Sequence, residues 1–148
     1  MKNILIGVDF SAVTEALLRL GSAMARSFDG RVRLLHVAAA DPDFVGYEPG
    51  PQTVRDSRAH ELRAEHAQLQ DMADRLCSKG IQADALMVQG KTSDTLLAQA
   101  EEWAADVIVL GNRRQGFVRK AVIGSSSEGV IKNARCPVLL VPAPLHRP

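Results

Sequence analysis

The sequence predicts an α/β fold, an open five-stranded parallel sheet with helices on both faces. Two observations carry this expectation. Short apolar runs alternate with segments whose apolar residues recur at helical spacing, the pattern of strands joined through helices. The 148 residues show no internal repeat and no linker, so one domain over 1–148 is expected, long enough to bury a sizeable core.

The first strand is expected over residues 4–8, ended by Asp9-Phe10-Ser11. Ser11 can cap a helix in which Ala16, Leu17, Leu20, Ala23 and Met24 share one face, and Gly30, preceded by Asp29, closes it. The second strand covers 32–37. Residues 41–51 hold three Pro and two Gly, so they read as a loop over one end of the sheet, a candidate lid. A long polar helix follows over about 53–78, buried through Leu62, Leu69, Met72, Ala73 and Leu76, with Gly80 at its C-terminal cap. The third strand is expected at 83–88. Thr92 or Ser93 then starts a helix through Leu96, Leu97, Ala100 and Trp103. The fourth strand, 107–110, stops at Gly111. A short helix over about 126–133 precedes the last strand at 138–141, which Pro142 and Pro144 end, and 145–148 read as a frayed tail.

Composition excludes several classes of function. A hydrophobic content of 46% and a charged content of 24% are those of an ordinary soluble globular protein. The net charge of +1 lacks the basic excess of a general nucleic-acid or membrane-surface binder. The first apolar run is too short, and broken by Asp9, for a signal peptide. No run approaches the ~20 apolar residues of a membrane span. Cys77 and Cys136 lack metal-ligand spacing and make no disulfide framework; they read as packing thiols in a reduced cytoplasm.

Residues 106–126 carry most of the functional signal. After the fourth strand comes a loop rich in Gly and Arg, then Gly124-Ser125-Ser126 ahead of a helix. Glycine lets backbone approach a ligand, and free N–H groups at a helix start favour an anion. Arg113, Arg114, Arg119 and Lys120 add charge nearby. The expectation is a nucleotide phosphate site. The plainer readings are a strand-ending turn, a helix cap and a solvated basic loop. If the sheet winds outward one way from strand one, with strand four on its other side, the order is 3-2-1-4-5. Asp9 and Gly111 then stand on opposite lips of one crevice at the carboxyl ends of the strands. Without a ligand, Asp9 reads as a helix cap beside Ser11.

Several pieces in this order and spacing resemble the universal stress protein family along nearly the whole chain. They are Ile4-Leu5-Ile6-Gly7-Val8-Asp9-Phe10-Ser11, Leu34-Leu35-His36-Val37, Val109-Leu110-Gly111, Gly124-Ser125 and Cys136-Pro137-Val138-Leu139-Leu140-Val141. The resemblance implies a flavodoxin-like sheet, homodimerisation largely through the last strand, and a cytoplasmic stress-response role. Many members bind ATP, with adenine between the first two strand ends and phosphates on the glycine loop. Carried over by position, Asp9 is the ribose or adenine partner and Val37 an adenine contact. Gly111, Gly124, Ser125 and Ser126 are phosphate contacts. Phe10 and Ser11 beside Asp9, and Leu110 and Arg113 beside Gly111, complete the candidate site.

The nucleotide-binding branch shows Gly, two residues, Gly, nine residues, Gly, then Ser or Thr. Gly111, Gly124 and Ser125 match, but Arg114 replaces the second glycine, and Gly116 is out of register. Its fork geometry suits phosphate oxygens, or it fills the place a phosphate would take. Ser126 also stands where the family usually carries an apolar residue. The ligand expected is ATP or a related adenine nucleotide, with any Mg held by phosphates and Asp9. It would act as a regulatory ligand read by an unidentified partner protein. A dimeric module that binds no nucleotide is the alternative.

Other motifs carry less. Gly90-Lys91-Thr92 mimics the end of a P-loop, but Ala85 stands where its first glycine belongs, so Thr92 reads as a helix cap. His36, inside an apolar strand, reads as a satisfied core histidine, and His60 and His66 as solvated. No nucleophile elbow, paired acid and base, or metal cluster is evident. Any ATP hydrolysis would be slow, and no enzyme is expected.

Overall fold

The computed structural model describes residues 1–40, 52–112 and 123–143. The expected loop at 41–51, the basic residues Arg113, Arg114, Arg119 and Lys120, and the tail lie outside the described residues. The strands are β1 (Asn3–Gly7), β2 (Arg31–Ala38), β3 (Gln82–Gln89), β4 (Val107–Asn112) and β5 (Val138–Pro142). The helices are α1 (Thr14–Phe28), α2 (Gln52–Ser78), α3 (Thr92–Glu102) and α4 (Ser125–Asn133). All neighbouring strands pair in parallel, in the order β3-β2-β1-β4-β5. The predicted fold class and strand order hold.

Strand alternation divides the core into two layers. Ile4 and Ile6 of β1, Val32 and Leu34 of β2, and Val107 and Val109 of β4 pack with Leu17 and Leu18 of α1 and Leu69, Met72 and Leu76 of α2. Leu5, Leu35, Ile108 and Leu110 face the other way, against Leu96 and Ala100 of α3 and Val130 of α4. The central strands are buried on both faces, which is why they read as unbroken apolar runs. Among the described residues no helix is long and apolar enough to cross a membrane.

The strands start from a tied edge. The Asp106 carboxylate accepts the N–H groups of Lys2 and Asn3, at 2.6 and 2.8 Å, joining the start of β1 to the turn before β4. Those bonds hold its carboxyl below the usual aspartate range. At the same end, the guanidinium carbons of Arg31 and Arg33 stand 5.0 and 4.7 Å from the ring centre of Trp103. Arg33 also grips Asp84 of β3 with two bonds of 2.7 Å.

Several local expectations change. Val13, not Ser11, occupies the N-cap of α1, and Ser11 contributes only its backbone carbonyl to Thr14. The buried seam of α1 runs through Thr14, Leu17, Leu18, Gly21, Ser22 and Ala25, leaving Ala23 exposed. The small residues explain it: a Cβ on Gly21 would lie 2.3 Å from Ile6 Cδ1, so β1 packs where the helix has no side chain. Asp29, with φ 49 and ψ 48, takes the left-handed position that ends α1. Gly30 serves instead to admit the Lys2 carbonyl, 2.8 Å from where its Cβ would stand. Leu62 is only partly buried on α2, whereas Gly80, at φ 80, does end that helix region. Strand β4 continues through Gly111 because that residue and Asn112 pair with Val141 and Pro142. Cys77 is exposed, its thiol directed to the Ala83 carbonyl at 3.3 Å, so it is not a packing thiol. Cys136 is half-buried, and burial pushes its thiol pKa up.

Candidate functional site

The carboxyl ends of β1 and β4 are neighbours in the sheet, while the chain leaves β1 toward β2 on one side and reaches β4 on the other. Connections diverge here, so a cleft opens where no crossover covers the strand ends. A crevice of about 520 Å³ lies at this point, within the range of small-molecule sites. Its β1 wall is Gly7, Val8 and Asp9, and its β2 wall Leu35, His36 and Val37. Leu110 and Gly111 of β4, Thr92 and Leu96 of α3, and Ile123 to Ser127 at the start of α4 close the remainder.

The start of α4 has the features of an anion cradle. Gly124 is its N-cap, in an extended conformation (φ −63, ψ 152) with no side-chain cap. The first backbone bond of the helix runs from the Glu128 N–H to the Gly124 carbonyl, at 2.9 Å. The N–H groups of the residues before Glu128 therefore have no carbonyl within the helix to bond. A Cβ on Gly124 would meet nothing within 4 Å among the described residues, and its φ suits any residue. Backbone strain does not ask for glycine here, and no described side chain does; space at a helix start does fit a phosphate group.

Gly111 differs. A Cβ there would stand 2.2 Å from Val13 Cγ1, so this glycine is explained by the approach of the chain just before α1. Its backbone still lines the crevice.

Of the candidate residues, Asp9, Val37, Leu110, Gly111, Gly124, Ser125 and Ser126 come together around the crevice, although residues about a hundred positions apart supply its two lips. Phe10 and Ser11 do not line it. Phe10 packs its ring on His36, and the Ser11 N–H bonds Asp9 Oδ1 at 3.0 Å. That bond closes an Asx turn, which lets Asp9 shape the entry to α1 as well as face the cleft. Arg113 and Arg114 lie outside the described residues. No group of three or more His, Cys, Asp or Glu among the described residues could hold a metal ion alone.

The profile of the universal stress protein family matches residues 1–142. The chain belongs to the universal stress protein family. A universal stress protein of Thermus aquaticus is 33% identical over 143 residues, covering 95% of this chain and 98% of the relative. The solved structure of hypothetical protein MJ0577 is 25% identical, with a TM-score of 0.75 and 97% of each chain covered. Two further solved universal stress proteins, 20% and 23% identical with TM-scores of 0.64, share the fold. Each covers 95–97% of this chain and 97–98% of its own. One, from Archaeoglobus fulgidus, is in complex with dAMP, and the other with cAMP.

Sequence reasoning missed some of the walls of this universal stress protein's crevice. Thr92 is one: Lys91 takes the N-cap of α3, leaving Thr92 as its first residue, at the cleft rather than capping. Its place after a strand and a glycine was the available signal. His36 is satisfied as expected, its Nδ1 2.7 Å from the Val8 carbonyl, but it also belongs to the wall.

Proposed function

We propose that this protein binds ATP or a related adenine nucleotide in the crevice, as a regulatory ligand rather than a substrate. The observation that carries the reading is the space that no described residue fills over Gly124 at the start of α4, in the same cleft as the Asp9 lip. Val37 offers an apolar face for adenine. Asp9 offers acceptors for ribose hydroxyls, and Ser125 and Ser126 offer N–H and O–H donors for phosphate. Magnesium, if it enters, would be held by phosphate oxygens with Asp9. The dAMP and cAMP complexes of two relatives support an adenine nucleotide as the class of ligand. We further propose a cytoplasmic homodimer whose ligand-dependent surface is read by another protein.

Calorimetric titration with ATP and magnesium tests the reading: saturable binding is expected, and none at millimolar nucleotide overturns it. Arg114→Gly restores the glycine pattern and decides the role of Arg114. Weaker binding marks it as a phosphate partner, and stronger binding as an obstacle.

Arg114 at the second glycine position favours one other reading, a dimeric interaction module without nucleotide. Adenine nucleotide co-purifying after mild extraction would argue against it.

A further inference from the structure

Behind the strand end that presents Asp9, three side chains form a contact that the cleft alone does not demand. The His36 side chain is 12% exposed. Its Nδ1 lies 2.7 Å from the Val8 carbonyl oxygen, which can only accept, so Nδ1 carries the hydrogen. Its Nε2 lies 3.3 Å from Oε2 of Glu65, on α2. That oxygen is buried and makes no well-formed hydrogen bond in the described residues. A neutral imidazole donating through Nδ1 presents a lone pair at Nε2, and a carboxylate presents lone pairs too. Bare lone pairs facing each other repel, so the contact closes when one hydrogen stands between them, at the buried oxygen of a Glu65 side chain that is otherwise 33% exposed.

Phe10 is the third member. Its backbone sits at φ 57, a left-handed conformation uncommon for a bulky residue, and its ring centre lies 4.6 Å from that of His36. Such strain persists only where surroundings enforce it. Val8 meanwhile donates its N–H to the Leu35 carbonyl at 2.8 Å. Both polar groups of its backbone are thus fixed to β2, and the next residue is Asp9.

We propose that His36 is a positioning residue for the crevice: by bridging Val8 to Glu65 through one shared proton, it holds the strand end that presents Asp9. Its effect on ligand affinity rests on the nucleotide reading; the latch itself does not. Among the described residues, these charged groups lie on the elements around the pair. On α2, Glu61 and Arg58 precede Glu65 by one and two turns, and Arg58 bonds the Ala39 carbonyl at 2.7 Å. On β1, Asp9 accepts the Ser11 N–H. On β3, apolar Met87 stands beside His36 in register.

The substitution that separates latch from bulk is Glu65→Gln. Its amide can donate to Nε2 of a neutral imidazole, keeping the bridge without a shared proton. Ring-nitrogen NMR of the ligand-free protein, with ATP–magnesium titrations of each variant, gives the test. Expected is a hydrogen on Nδ1, and Glu65→Gln should bind close to wild type. Glu65→Ala and His36→Asn, which each keep a donor to Val8 but lose the link to α2, should be about tenfold weaker, and His36→Phe, which loses both, at least as weak. A hydrogen on Nε2 with a bare Nδ1, or Glu65→Ala binding with the wild-type affinity, overturns the proposal. If even wild type binds no nucleotide, the nucleotide reading fails, and the ring spectra still decide the latch.

Discussion

Gly124 and Gly111 look equivalent in the sequence, yet they respond to different pressures. At Gly124 a side chain would project into open space from ordinary backbone, so Gly124→Leu should cost under about 1 kcal/mol, the N-cap preference for glycine over an alkyl group. The same leucine would occupy the space assigned to phosphate and abolish nucleotide binding. At Gly111 even one methyl collides with Val13, so Gly111→Ala should lower stability by about 1–3 kcal/mol through overpacking. Adding Val13→Ala should recover part of it. Thermal melts and ligand titrations of the same variants check both. A melting point for Gly124→Leu far below wild type, or unchanged binding, would reject the ligand-facing role. The motif spacing marked both glycines because it reports where backbone must be bare. It does not report whether a ligand or another part of the chain makes the approach.

Among the elements, α1 and α2 are tied on the outside of one layer by Arg75, which bonds both carboxylate oxygens of Glu15 at 2.9 and 3.0 Å. The Arg75 guanidinium holds the Glu15 carboxyl below the ordinary glutamate range, with smaller help from Lys79 and Arg19. A carboxyl depressed in the folded state stabilises above its unfolded pKa, about 4.3, and that contribution disappears as pH falls through the folded value. Arg75→Ala should therefore melt slightly below wild type near neutrality, by less than about 1 kcal/mol for so exposed a pair. The two should converge in strong acid; melts at both pH values, at low salt, read the difference. Elements differed in how openly the sequence announced them. Strands 4–8 and 107–110 were plain because a strand buried on both faces is apolar at every position. The seam of α1 was not, since Gly21 and Ser22 pack through absence of bulk, which hydrophobicity does not register. Thr92 was misassigned because a hydroxyl ahead of a helix reads as a cap, whereas here Lys91 occupies that place without a side-chain bond.

At the scale of the molecule, β5 ends the described sheet with one side unpaired and Leu139 38% exposed, and Ile131 of α4 is also exposed, at 41%. An edge of this kind suits pairing about a two-fold axis, the basis of the proposed homodimer. Leu139→Glu should shift sedimentation from dimer to monomer while circular dichroism stays unchanged; a wild-type chain that sediments as a monomer removes the proposal. The parallel sheet was readable because the elements alternate without exception; its order was not fixed by alternation but followed from setting strand four on the far side of strand one, and the cleft's position follows from that order. The inward turn of Phe10 was not readable, since it depends on a contact with His36 made only after β1 and β2 pair. The cation–ring contacts at the opposite end of the strands have a practical consequence. Trp103 is the chain's sole indole, within 5.0 Å of two guanidinium groups near the starts of β1 and β2. Its intrinsic fluorescence should report loss of the whole sheet during denaturation yet stay dark to cleft occupancy, which makes emission a built-in reference channel for every titration above.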